Sequence, residues 1–195
     1  MRGLILFAEP WWVNLFVLIP VATYLFLRKR GVVLTKNQLF IAAFFGIAFG
    51  FVETSVVIYL RAAVGLLPGY GGILSDAANL SAPLYQQAEI LARLPKALLL
   101  IEFIREAATI AMLVAVALFV GRTRRERVAA FLWAFAFWDI FYYVGLWLTI
   151  RWPSSLLTQD VLFLIPVPWL AQVWFPILIS GTTILAIATA KRRKI

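Results

Sequence analysis

Apolar residues are grouped into five long stretches that alternate with polar segments along the chain. The stretches cover about residues 10–27, 38–60, 96–120, 128–150 and 169–190. A transmembrane helix needs about 20 consecutive, mostly apolar residues, so each stretch predicts one helix that spans a bilayer. We therefore expect an all-α integral membrane protein with five transmembrane helices, folded as a single transmembrane domain over residues 1–195.

Two of the segments between these stretches carry structural signals of their own. Residues 62–95 form a loop in which glycines break regular structure, and residues 76–95 predict a short surface helix. Near residues 156–168 the chain becomes apolar again, but Pro166 and Pro168 interrupt a run that is too short to span. This pattern predicts a re-entrant or interfacial segment that leads into the fifth helix.

Basic residues are concentrated at particular ends of the apolar stretches. Cytoplasmic ends of membrane proteins carry an excess of lysine and arginine, so the clusters place the N-terminus outside and the C-terminus inside a multi-pass protein of the plasma (inner) membrane. Because topology accounts for the net charge of +9, we expect no nucleic-acid partner. The clusters are Arg28, Lys29, Arg30 and Lys36; Arg122, Arg124, Arg125 and Arg127; and Lys191, Arg192, Arg193 and Lys194.

Composition narrows the chemistry that the chain can perform. Of its residues 64% are hydrophobic and the mean hydropathy is +0.94, so the bilayer is its solvent. The chain has no cysteine and no histidine, which excludes thiolate nucleophiles, iron–sulfur ligation and histidine-bound haem or zinc. We therefore expect chemistry without a cofactor, from carboxylates, hydroxyls and basic side chains.

Acidic residues inside the predicted helices are the strongest functional signal. A carboxylate near the middle of a bilayer costs about 2.5–3.5 kcal/mol on insertion scales, so Asp139 in the fourth stretch marks a functional site. Helical spacing places Tyr142 and Tyr143 on the face of Asp139. In the second stretch, Gly46 and Gly50 lie on the face of Glu53, and such small residues let a neighbouring helix approach closely. We expect Glu53 to face protein and not lipid.

The third stretch carries a polar stripe of Glu102, Arg105, Glu106 and Thr109 on one helix face. These residues either form an ion pair that packs helices together or belong to a binding site. With the predicted topology, eight of the nine acidic residues fall in the outer half of the helices or in outer loops. We expect those within the helices to converge on one pocket in the outer leaflet. The eight are Glu9, Glu53, Asp76, Glu89, Glu102, Glu106, Asp139 and Asp160.

A weak internal repeat relates two of these carboxylates. Residues 48–53 (Ala-Phe-Gly-Phe-Val-Glu) align with residues 134–139 (Ala-Phe-Ala-Phe-Trp-Asp), at an offset of 86 positions. Both segments lie on helices that run outward and are followed by an outer loop and a return helix. Helices 2–3 and 4–5 are therefore predicted to be two parallel copies of a helix hairpin. Glu53 and Asp139 would then be pseudo-symmetric partners at a repeat interface, where transporters and related proteins place their sites.

The region around Asp139 resembles the membrane lycopene cyclase domain family. Trp138-Asp139 is followed by Gly145-x-Trp147 and then by residues 160–168, which run into Val-Pro. The resemblance covers about 40 of the 195 residues. It implies a cofactor-free, proton-initiated cyclisation of a polyprenoid, with the carboxylates as acid and base. The chain departs from the family at residues 157–160, where Leu-Thr-Gln-Asp replaces Pro-x-Glu-Glu.

These observations leave three functions open. The first is an acid/base enzyme, a cyclase or isomerase, that acts on a polyprenyl or carotenoid-like lipid through Asp139 and either Glu53 or Asp160. The second is a non-enzymatic accessory subunit of a larger membrane complex, which binds membrane-protein partners through its aromatic surface. Asp139 itself is alternatively a structural carboxylate that bonds to a tyrosine or to Arg105 and locks helices together. The third is a proton- or cation-coupled carrier. The residues expected to contact the substrate are Trp138, Tyr142, Tyr143, Trp147, Glu102, Arg105 and Glu106.

A site for a divalent metal built only from carboxylates is a further alternative. Glu53, Glu102, Glu106 and Asp139 supply the oxygen ligands that hard cations accept. Arg105 lies among them in the sequence pattern and argues against such a site. We assign no metal ligand.

Overall fold

The structure, a computed structural model, describes residues 8–28, 34–63 and 96–190. Within these ranges it is built mainly from helices. Several predictions fall outside them: most of the 62–95 loop with its short surface helix, Lys29 and Arg30, and the basic segment 191–194.

Of the five predicted transmembrane helices, the first four are long and apolar enough to cross a membrane, and the fifth is a shorter apolar helix. The first begins as a 3-10 helix that continues into an α-helix, and α4 begins with a capping box formed by Thr123 and Glu126. The length and composition of these helices are those of membrane-spanning helices. The segments are the 3-10 helix Trp11–Leu18 with α1 Ile19–Arg28, α2 Lys36–Ala63, α3 Lys96–Val120 and α4 Arg124–Ile150.

The all-α prediction is wrong in the segment before the last helix. Two strands, β1 (Gln159–Phe163) and β2 (Trp169–Gln172), form an antiparallel hairpin where a re-entrant or interfacial segment was expected. Between the strands the chain contains Pro166 and Pro168, which lack the N–H that a helix requires, while β1 carries the Val-Leu-Phe run that favours a strand. The last helix, α5 (Trp174–Thr189), therefore begins five residues later than predicted and has 16 residues.

Helix α4 is the centre of the bundle and packs against α2, α3 and α5. Later residues of α4 contact later residues of α2. Near the start of α2, the carbonyl of Leu39 accepts a hydrogen bond from Trp133 Nε1 (3.0 Å), and four turns later the hydroxyl of Thr54 reaches the carbonyl of Tyr142 (2.9 Å). The two helices are therefore parallel neighbours.

Glycines bring α2 and α4 into backbone contact. A Cβ added at Gly50 would lie 2.7 Å from the carbonyl oxygen of Trp138, and one added at Gly145 would lie 2.5 Å from Thr54 Oγ1. Gly46 also lies against the α4 backbone. This close approach buries the face of α2 that carries Glu53, as the glycine spacing predicts.

One end of the bundle collects the helix termini that carry basic residues. There the end of α1, the start of α2, the end of α3, the start of α4 and the end of α5 share one hydrophobic cluster. Gln38 Nε2 donates to the carbonyl of Val120 (2.6 Å) and so satisfies a backbone acceptor at the C-terminal end of α3. The β-hairpin lies at the opposite end, so successive helices alternate in direction. The members of the cluster are Leu27, Leu34, Leu39, Ala117, Val120, Ala129, Ala130, Ile187 and Ala190.

Candidate functional site

A cavity of about 630 Å³ lies inside the bundle, toward the end covered by the hairpin. Binding cavities for small organic molecules have about 300–1,000 Å³ and mostly apolar walls with a few polar groups, which describes this one. Residues of the first helix, of α2 to α5 and of the hairpin all contribute to its wall. The aromatic residues that line it are Phe16, Phe131, Phe135, Trp138, Tyr142, Tyr143, Phe163, Trp169 and Phe175.

Asp139 lies on this wall, midway along α4. Its side chain is buried, and Ser180 on α5 donates a hydrogen bond from Oγ to Asp139 Oδ2 (2.7 Å). Thr183, one turn further along α5, also lines the cavity, and its buried hydroxyl has no hydrogen-bond partner among the described residues. The carboxyl therefore sits beside a hydroxyl-bearing face of α5 on a mostly apolar wall, with Tyr143 and Asp160 as further polar neighbours.

A second group of polar side chains joins α2 to α3. Arg105 forms ion pairs with Glu53 and with Glu102, in the latter case with Nε 2.8 Å from the carboxylate. Thr109 Oγ1 donates to the other oxygen of Glu53 (3.2 Å). Glu53 and Arg105 line the cavity, whereas Glu102 does not. One guanidinium is thus the counterion of two buried carboxylates.

The hairpin covers the cavity and is fixed to it by Glu106. The backbone N–H of Leu164, in the turn after β1, donates to both carboxylate oxygens of Glu106, at 3.0 and 2.9 Å. Phe163 and Trp169, at the facing ends of the two strands, line the cavity from this side. A backbone group in the turn is thereby satisfied by an acidic side chain of α3, as buried backbone polar groups require.

Asp160 lies next to the cavity and not on its wall. It is 2% exposed in β1, and the hydroxyl of Tyr143 donates to its Oδ2 (2.9 Å). Tyr143 itself lines the cavity and packs edge to face against Tyr142, with ring centroids 4.9 Å apart. The hydroxyl of Tyr143 therefore connects the α4 face of the cavity to the hairpin carboxylate.

The structure brings most of the sequence-predicted site residues together and leaves one apart. Glu102 and Asp160 are in direct contact with cavity residues, through Arg105 and Tyr143. Trp147 is half exposed on the far part of α4, where its ring contacts the guanidinium of Arg151 at 4.6 Å, and it does not line the cavity. The predicted residues that line the cavity are Glu53, Arg105, Glu106, Trp138, Asp139, Tyr142 and Tyr143.

Sequence reasoning missed the contribution of α5. Ser180 and Thr183 interrupt an otherwise apolar stretch at a spacing of three residues, which places them on one helix face. That spacing is a usable signal, because hydroxyls within a membrane helix often bond across to a neighbour. The spacing does not identify the neighbour. Only the packing of α5 against α4 shows that it is Asp139.

The acidic side chains are spread around the cavity and do not gather at one point. Among the described residues, no group of three or more acidic side chains lies close enough to hold a metal ion. Arg105 lies between Glu53 and Glu102 and is ion-paired with both. These carboxyl groups can bind protons or pair with positive charges at several separate points on the apolar wall.

Comparison of the chain with protein-family models, with curated proteins and with solved structures gives no match.

Proposed function

We propose that this protein is a cofactor-independent acid/base enzyme, a cyclase or isomerase, that acts on a polyprenyl or carotenoid-like lipid within the bilayer. The observation that carries the proposal is the position of Asp139, a buried carboxyl on the wall of an apolar cavity large enough for a lipid segment. A buried carboxyl next to apolar substrate is the arrangement that lets a side chain donate a proton to carbon.

In the proposed reaction, Asp139 donates its proton to a carbon–carbon double bond of the lipid and leaves a carbocation. The faces of the surrounding aromatic rings stabilise that cation, by roughly 0.5–2 kcal/mol for each ring. Glu53, held as a carboxylate by Arg105, accepts a proton from the adjacent carbon, and a new double bond forms. One proton enters the lipid and one leaves, so substrate and product are isomers and no cofactor is consumed.

The resemblance to the membrane lycopene cyclase domain supports the same chemistry. Trp138 and Asp139, the first residues of that resemblance, both line the cavity. Asp160, which stands at the position of the family's second acidic motif, is bonded to Tyr143. We propose that Asp160 returns protons to the site through this hydroxyl.

The proposed membrane arrangement is five crossings in the plasma membrane, with the N-terminus outside and the C-terminus inside. The basic residues of the described helix ends, among them Arg28, Lys36 and Arg124, lie at the bundle end that forms one hydrophobic cluster. Helix α5 has 16 residues and is preceded by the apolar hairpin, which supplies the remaining depth of the fifth crossing. The cavity then opens toward the outer leaflet.

The proposed enzyme is tested by incubating it, in lipid nanodiscs made up in D₂O, with acyclic polyprenoids such as lycopene. The expected product has the formula of the substrate with one deuterium in place of hydrogen, which mass spectrometry detects. Asp139→Asn should lower the rate by at least about 100-fold, since a positioned acid contributes about 10²–10⁴. Glu9→Gln, which changes an exposed carboxylate, is the control. Full activity of Asp139→Asn, or no deuterated product from the unaltered chain, would contradict the proposal.

The two other hypotheses predict different measurements. An accessory subunit should co-purify with partner proteins in mild detergent, and a carrier should take up its substrate into proteoliposomes. For a carrier, the described helices show no acidic path to the basic end of the bundle, where the described carboxylate Glu126 caps α4. The enzyme is therefore the function that the geometry supports best.

A further inference from the structure

We infer that the cavity is a binding site for a lipophilic organic cation. The charges of the buried side chains are the starting point. Within the described part of the chain, five carboxyl groups are at most 9% exposed and lie in or next to the cavity, and one guanidinium, that of Arg105, is placed among them. The five are Glu53, Glu102, Glu106, Asp139 and Asp160.

The carboxyls that face the cavity differ in how they are neutralised. Arg105 is ion-paired with Glu53 and Glu102. Asp139 and Glu106 receive hydrogen bonds from neutral groups, the Ser180 hydroxyl and the Leu164 N–H. Glu106 also interacts electrostatically with Arg105, one residue before it, without a direct ion pair, whereas Asp139 is in no ion pair with a described residue. An ionised carboxylate buried without a cation is strongly unfavourable, so such a group is stable in an empty cavity as the neutral acid, the form that the proposed reaction uses for Asp139. A positively charged ligand would pair with the ionised form, and the carboxyl would release its proton as the cation binds.

A second, independent observation is the unpartnered hydroxyl of Thr183. Its side chain is 3% exposed, it lines the cavity on the α5 face that holds Ser180, and its Oγ1 has no described partner. A hydroxyl oxygen accepts a hydrogen bond from an ammonium group. Asp139 and Thr183 together provide a charge and an acceptor on one side of the cavity.

The aromatic wall favours an organic cation over an inorganic one. Trp138, Tyr142, Tyr143 and Trp169 line the same cavity, and aromatic ring faces attract ammonium and phosphonium groups. A cavity of about 630 Å³ with mostly apolar walls matches a bulky apolar ion, whereas the spread carboxylates do not form a metal site within the described residues. The expected ligand class is a protonated tertiary ammonium with large apolar substituents. Quaternary ammonium and phosphonium ions match its charge and apolar bulk but lack the N–H whose hydrogen bond Thr183 would accept.

Tetraphenylphosphonium and tetraphenylborate test this inference, because they have almost the same size and shape and opposite charge. Each is titrated separately by calorimetry into the protein in nanodiscs of zwitterionic lipid, and the heat of empty nanodiscs is subtracted. We expect saturable binding of one phosphonium per protein and no saturable binding of the borate. Equal binding of both ions, or no binding of the cation, would overturn the inference.

Variants assign the binding to the named side chains. Asp139→Asn and Glu106→Gln should each weaken phosphonium binding at least tenfold, and Thr183→Val should weaken binding of a tertiary ammonium more than binding of the phosphonium, which has no N–H. Glu9→Gln should leave both affinities unchanged. Each variant is first checked for a single symmetric peak in size-exclusion chromatography, and Glu106→Gln carries the test if Asp139→Asn does not fold. Unchanged affinity in a folded Glu106→Gln, Asp139→Asn double variant would refute the assignment.

This inference does not depend on the proposed reaction. Binding of the phosphonium without turnover of any polyprenoid would remove the enzyme proposal alone. Turnover without saturable cation binding would remove the cation site alone.

Discussion

Arg105 is the residue on which the polar interior of α2 and α3 depends. Its guanidinium is ion-paired with both Glu53 and Glu102, whose side chains are almost completely buried. Removing one partner from a buried ion pair leaves an uncompensated charge, and this is more costly than replacing the whole set by neutral groups.

Arg105→Gln should therefore destabilise the protein by about 3–5 kcal/mol, because two carboxylates lose their cation. Thermal unfolding followed by size-exclusion chromatography measures the change. The triple variant Arg105→Gln, Glu53→Gln, Glu102→Gln should recover a large part of the lost stability. A triple variant as unstable as the single one would show that the ion pairs are not the reason.

Ser180→Ala removes the hydroxyl that donates to Asp139. We expect a loss of about 1–2 kcal/mol in stability, in the upper range of hydrogen bonds between membrane helices, because the acceptor is a buried carboxyl. Thr182→Ala on the same helix is the matched control, since its hydroxyl bonds only within α5, to Leu178 and Ile179. Equal losses in the two variants would indicate a general effect on the helix and not the bond to Asp139.

Among the elements, the parallel pair of α2 and α4 is the most closely packed, and glycine is the reason. Gly50→Ala should cost about 1–3 kcal/mol, because the new Cβ would lie 2.7 Å from a backbone oxygen of α4, which cannot move without shifting the helix. Gly181→Ala makes the same change in α5, where nothing lies within 4 Å, and should be neutral or stabilise by up to about 1 kcal/mol. Thermal unfolding of the two variants side by side measures the contrast, and similar melting temperatures would contradict it.

The sequence determines the long helices well and the cover of the cavity poorly. Helix α3 has the predicted bounds, 96–120, because the polar residues within its apolar run keep to one helix face. Helix α4 begins four residues earlier than predicted because Thr123 and Glu126 cap it. The hairpin and the start of α5 depend on contacts between distant residues, such as the N–H of Leu164 with Glu106, 58 positions away. The local sequence pattern contains no information about such distant partners. In the site, the carboxylates are predictable because they lie deep within apolar stretches, whereas the bond from Ser180 to Asp139 is not.

At the scale of the whole molecule, the bundle alternates direction, and the chain's lack of cysteine makes its orientation directly measurable. A single cysteine introduced at exposed Arg122 should be labelled by an impermeant maleimide only in inverted vesicles or after the membrane is opened. One introduced at exposed Ser154, near the hairpin, should be labelled in intact cells. The reverse pattern would contradict the proposed orientation.

The bond between Ser180 and Asp139 also has a consequence for how the protein is made. Ser180 follows Asp139 by 41 positions, so α4 emerges from the ribosome before α5 does. At that stage the carboxyl has a bilayer or a translocation channel as its environment, and the cavity lacks the wall that α5 provides. Helix α5 is thus the last described element to arrive. The step that packs α5 against α4 encloses Asp139, and until then the cavity stays open to the lipid.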